Sequence, residues 1–86
     1  MEEKDPIGNF PILPHAIHHV EQLGSVIKSI RKDQGLTQID VAGLAGFGNR
    51  FVIDLEKGKE TIQMQKAMDV IALLGLELLI RKKGDQ

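Results

Sequence analysis

Four glycines divide most of this chain. Gly35, Gly46, Gly58 and Gly75 each close a run of apolar residues at helical spacing, and no proline follows Pro14. Glycine ends a helix without steric cost because it can take the left-handed conformation, whereas an interior proline would remove a hydrogen bond and clash with the preceding turn. The punctuation predicts a mainly α fold, a compact bundle of about four helices. The first is expected at about Val20–Gln34, with Val20, Leu23, Val26, Ile27 and Ile30 as its stripe and Arg31 and Lys32 near the negative end of its dipole. The second begins at Thr37-Gln38-Ile39-Asp40, which has the form of a capping box, and buries Val41, Ala42, Leu44 and Ala45. The third, about Gly48–Lys57, turns Val52 and Leu55 inward, and Asn49, Arg50, Ile53, Asp54 and Lys57 elsewhere. The fourth, about Met64–Leu74, buries Met64, Ala67, Met68, Ile71 and Leu74.

Both ends depart from this pattern. Pro6, Pro11 and Pro14 make residues 1–19 an extended arm, with Ile7, Phe10, Ile12 and Leu13 apolar enough to dock on something. After Gly75 the period changes to two. Leu76, Leu78 and Ile80 alternate with Glu77, Leu79 and Arg81, which predicts a strand within a C-terminal segment of residues 76–86. A lone strand is not stable, so this one is expected to pair, either with the arm around Phe10–Leu13 or, as favoured here, with its symmetry mate in a dimer.

Composition excludes several function classes. The chain of 86 residues has no cysteine, which rules out a disulfide scaffold and thiolate-bound zinc or iron–sulfur clusters. No apolar run reaches the ~18 residues of a membrane span, and the acidic N-terminus does not suit a secretory signal, so a cytoplasmic protein is expected. The net charge of −1 counts at first sight against nucleic acid, but it is unevenly placed. Residues 1–24 set Lys4 against Glu2, Glu3, Asp5 and Glu21, a net of −3, and residues 25–86 carry +2. No enzyme is indicated: there is no cysteine nucleophile or phosphate-cradling loop, and Ser25 and Ser29 have no triad partners. His15, His18 and His19 have i, i+3, i+4 spacing, but no Cys or Asp accompanies them at comparable spacing, and they are read as residues at a helix entrance with no metal. Met64 and Met68 are read as core packing. No cofactor is expected.

Residues 20–75 contain two short helices joined by a glycine turn after a longer helix, which is the helix-turn-helix pattern. Leu36-Thr37-Gln38, Ala42, Gly46, Val52 and Leu55-Glu56-Lys57-Gly58-Lys59 resemble the helix-turn-helix of the Xre/Cro repressor family without a gap. Together with the closing apolar strand, the chain resembles HipB-type antitoxins, which pair with HipA-type kinase toxins. The resemblance implies a sequence-specific repressor of double-stranded DNA, a homodimer on a palindromic operator that also restrains a kinase toxin. It places the third helix in the major groove, so that Gly48, Asn49, Arg50 and Ile53 face bases. Arg50 suits guanine O6 and N7, and Asn49 suits adenine N6 and N7. Phe51 and Ile53 suit a thymine methyl, although Phe51 can equally pack inward. Gln38, Lys57 and Lys59 fall where phosphate is met, with Lys28, Arg31 and Lys32 as weaker phosphate candidates. Leu76, Leu78 and Ile80 would form the dimer interface. Gly48 departs from the family, whose members usually carry a polar side chain there. Two other readings remain: a stand-alone or phage-type repressor without a toxin, and an interaction module that does not bind DNA.

Overall fold

The computed structural model describes residues 13–84. Four helices follow in order: α1 (Val20–Asp33), α2 (Gln38–Ala45), α3 (Asn49–Lys57) and α4 (Met64–Leu73). The expected arm lies outside the described residues up to position 12, and residues 13–18 are exposed and without regular structure.

Local chemistry sets the helix ends. His19 is the N-cap of α1, and its backbone N–H donates to Gln22 Oε1 at 3.0 Å. At the other end of α1, Leu36 N–H donates to Arg31 O at 3.1 Å, closing the turn over Gly35. The capping box of α2 is formed as expected: Asp40 N–H donates to Thr37 Oγ1 at 3.0 Å and Thr37 N–H to Asp40 Oδ2 at 2.8 Å. These two bonds satisfy donors that a helix start leaves without intrahelical partners.

The core is one apolar cluster built from all four helices. Ile27 of α1, Val41 of α2, Val52 and Leu55 of α3 and Val70 of α4 are its largest fully buried side chains. α3 packs against α1 and α2, and α2 also packs against α4. The approach of α1 to α3 is a backbone contact. A Cβ placed on Gly24 would lie 2.5 Å from Leu55 O and 2.6 Å from Glu56 O. A Cβ on Gly58, which has φ +80, would lie 2.6 Å from Glu21 Cα. Both positions therefore require glycine on steric grounds, and Gly58 on conformational grounds as well.

Four expectations need correction. Leu44 is exposed rather than buried, because the inward face of α2 is centred on Val41 and Ala42 and leaves Leu44 on its flank. Met64 and Met68 are also exposed, and Val70 fills the place assigned to them; α4 is rotated so that Ala67, Val70, Ile71 and Leu74 face the core. Its last helical residue is Leu73, with Leu74 as C-cap. The expected C-terminal strand is not formed in the single chain, where residues 76–82 have no regular structure. Leu76 is half-buried and donates its N–H to Ile71 O at 3.0 Å, whereas Leu78, Leu79 and Ile80 are exposed. A β-ladder needs a second strand for its amides and carbonyls, and the described part of one chain supplies none.

Candidate nucleic-acid interface

The two helices of the motif are fixed relative to each other by a tight reversal. Gly46 closes α2 at φ 79, ψ 23, and Phe47 N–H donates to Ala42 O at 2.9 Å. Ala42 is buried at this junction, where a larger side chain would push the helices apart. Gly48 then caps α3 in extended geometry with no side chain to contribute.

Beneath the surface, α3 is tied to its neighbours by a buried ionic network. Arg31 Nε donates to Glu56 Oε2 at 2.6 Å, Nη2 to Glu56 Oε1 at 2.9 Å and Nη1 to Leu36 O at 2.8 Å. The hydrogen bond to Glu56 raises the Arg31 pKa further above its ordinary value, against the opposing effect of burial, so the guanidinium stays charged in the interior. Gln38 joins the same carboxylate, with Nε2 donating to Glu56 Oε1 at 3.0 Å. The Glu56 carboxylate on α3 thus joins that helix both to the N-terminus of α2, through Gln38, and to the end of α1, through Arg31. Arg31, a weak phosphate candidate from the sequence, is buried and committed to this network. Lys28 and Lys32 are exposed.

The other residues nominated from the sequence fall into two groups. Asn49 and Arg50 are exposed at the start of α3, and Lys57 is exposed at its end, about 12 Å from Asn49 along the axis at 1.5 Å per residue. Ile53 is half-buried between them. Arg50, Ile53, Asp54 and Lys57 follow i, i+3, i+4, i+7 spacing and form one stripe, opposite buried Val52 and Leu55. Phe51 lies on a different side. It is half-buried against the core and meets Phe47 edge to face at a centroid distance of 5.2 Å, so its ring supports the helix from beneath.

Two further residues were not among those nominated from the sequence. Lys66, on α4, places Nζ 5.3 Å from the Phe47 ring centre and 5.8 Å from that of Phe51. A cation is thereby seated over the aromatic pair that flanks the start of α3. Asp54 lies on the outward stripe, within 3.5 Å of both Arg50 Nε and Lys59 Nζ. The i, i+4 spacing of Arg50 and Asp54 was a legible signal for that pair.

The helix-turn-helix family HTH_3 matches residues 27–80. The chain belongs to this family of DNA-binding transcriptional regulators. It is 41% identical over 64 residues to the uncharacterized HTH-type transcriptional regulator y4mF of Sinorhizobium fredii, covering 74% of this chain and 84% of that protein. Its fold is similar to a chain in the structure of the HipA-HipB-O2-O3 complex, with a TM-score of 0.75 at 19% identity, over 80% of this chain and 97% of the other. The HipB-O4 20mer complex gives the same TM-score, identity and coverage. At this identity the structural likeness establishes the fold. Among the described residues, no helix is long and apolar enough to cross a membrane.

Proposed function

We propose that this regulator is a sequence-specific repressor that lays α3 in the major groove of a palindromic operator, and that it does so as a homodimer. The observation that carries the reading is the outward stripe of α3. Arg50 and Lys57 are exposed on it and Ile53 and Asp54 half-buried, while Val52, Leu55 and Glu56 hold the helix against its neighbours. Asn49 and Arg50 then read bases, Ile53 offers an apolar contact, and the backbone at Gly48 approaches closely because no side chain intervenes. Lys57 and Lys59 meet phosphate through their side chains, and Gln38 through its backbone N–H at the start of α2. Dimerisation doubles the base pairs read, and the exposed Leu78 and Ile80, together with Leu76, suit pairing with a second copy.

The same reading makes the protein the cytoplasmic antitoxin of a HipA-type kinase, regulating its own operon. Support comes from the likeness of its fold to HipB as found with HipA. Two experiments test the proposal. In a mobility-shift assay on the duplex selected from a random library, Arg50→Ala should lose ~1–3 kcal/mol of binding and relax the preference at one base pair. Unchanged affinity and preference in Arg50→Ala would refute base reading by this residue. Co-expression with the kinase-like protein of a neighbouring reading frame should give a co-purifying complex and restore growth. Failure of both leaves a stand-alone repressor.

A further inference from the structure

Arg50 is the most exposed member of the ion pairs on α3, with a side chain 78% accessible, yet its guanidinium has a fixed neighbour. Asp54 Oδ1 lies 3.5 Å from Arg50 Nε, one helical turn along the same stripe, and the Asp54 side chain is only 18% accessible. Its second oxygen, Oδ2, lies 3.5 Å from Lys59 Nζ. One half-buried carboxylate therefore stands between two basic side chains. A guanidinium has a single N–H on Nε and four on its two terminal nitrogens. Nε is the guanidinium nitrogen that pairs with the carboxylate, an ion pair at 3.5 Å, so neither terminal nitrogen is needed for it and both remain available as the fork that matches guanine O6 and N7.

We propose that Asp54 is a positioning residue for base recognition. It sets Arg50 to present its terminal fork to a guanine, and it restrains Lys59 from indiscriminate phosphate contact. The proposal rests on the reading that Arg50 contacts a base. Positioning lowers the rotamer freedom that Arg50 loses on binding. The carboxylate is also repelled by every phosphate, so it weakens binding to all duplexes alike while sharpening the choice among them. Affinity and selectivity should consequently move in opposite directions when it is removed, which loss of a merely structural contact would not produce.

The test uses the full chain and its preferred duplex from a random double-stranded library, together with single-base-pair variants of that duplex and a scrambled duplex. Arg50→Ala should abolish a guanine preference at one pair in each half-site. Asp54→Asn should reduce the preference at that same pair by about tenfold while binding the scrambled duplex more tightly than the parent does. Asp54→Glu, which keeps the charge and still reaches Arg50 at i, i+4, should retain most of the preference. If Asp54→Asn keeps the full guanine preference that Arg50→Ala loses, or if Asp54→Glu loses it while still binding the scrambled duplex, the positioning role is overturned and base reading by Arg50 stands. If Arg50→Ala itself changes nothing, both fail.

Discussion

Replacing Gly24 by alanine sets two physical effects of opposite sign against each other. Gly24 is inside α1, and alanine is favoured over glycine in a helix interior by ~1 kcal/mol. Helix propensity alone therefore predicts a more stable protein. The packing predicts the reverse, since the new Cβ would sit 2.5 Å from Leu55 O, 2.6 Å from Glu56 O and 2.9 Å from the Glu56 carbonyl carbon. To reach ordinary carbon–oxygen contact, α1 and α3 must separate by about 0.8 Å. The obstructing atoms are backbone, so no side chain can swing away. Overpacking of this kind costs ~1–3 kcal/mol, and a rigid obstacle places Gly24→Ala towards the upper end. The separation would also strain the Arg31–Glu56 pair, whose shorter contact is 2.6 Å. Setting ~3 kcal/mol of overpacking against ~1 kcal/mol of propensity leaves a net loss of about 2 kcal/mol. For a domain of this size that is a fall in Tm of about 8–16 °C. Gly43→Ala is the internal control. Gly43 is also helical, but no atom lies within 4 Å of its Cβ position. This substitution should stabilise by ~0.5–1 kcal/mol. Urea unfolding of both variants at one fixed protein concentration measures the contrast, the concentration being held because the proposed dimerisation would link stability to it. A Gly24→Ala protein as stable as Gly43→Ala would refute the backbone contact between α1 and α3.

Glu56→Ala should destabilise by ~3–5 kcal/mol in urea unfolding because it strands the buried Arg31 charge, whereas the Arg31→Met/Glu56→Leu double variant should lose less than Glu56→Ala does. Asp40 has its pKa lowered below the ordinary 3.8 by hydrogen bonds from Thr37, backbone first and then side chain. The sign follows: the stabilisation is present above the unfolded pKa and is lost as pH falls through the lower folded value. Unfolding of the parent and Asp40→Asn measured from pH 7 downward should show a stability gap that closes only in that acid range. Deleting residues 76–86 should give a monomer or an unfolded chain, and a truncated protein that still sediments as a stable dimer would exclude the C-terminal segment as the interface.

Sequence-local features were legible, and features made by distant packing were not. The ends of all four helices lie within a residue or two of their expected positions, because Thr37, Asp40 and the four glycines act on their immediate neighbours. The burial of Val52 and Leu55 was equally visible from their spacing. The requirement at Gly24 is created by Leu55 and Glu56, some thirty positions away, and in the sequence it looks like a defect in a helix. Arg31 looked like a surface cation at a helix end until its carboxylate partner, 25 positions on, became visible. Leu44, Met64 and Met68 misled for a related reason: an apolar residue on the edge of a helical face can be in or out, and the rotation of the helix against its neighbours decides. At the proposed interface, spacing turned Asn49, Arg50 and Lys57 away from the core and the family resemblance nominated them, but the pairing of Asp54 with Lys59 needed three dimensions.

The separation of α3 into two faces also bears on ancestry. Val52, Leu55 and Glu56 face inward and hold the helix, whereas Arg50, Ile53, Asp54 and Lys57 make no comparable commitment to the interior. Mutations in the second set can therefore accumulate without unfolding the chain, and a duplicated copy could drift to a new address on the chromosome while its scaffold stays still. On the proposed reading of α3, the fold behaves as a holder with an interchangeable key, so close relatives that share nearly every buried residue would answer to different operators.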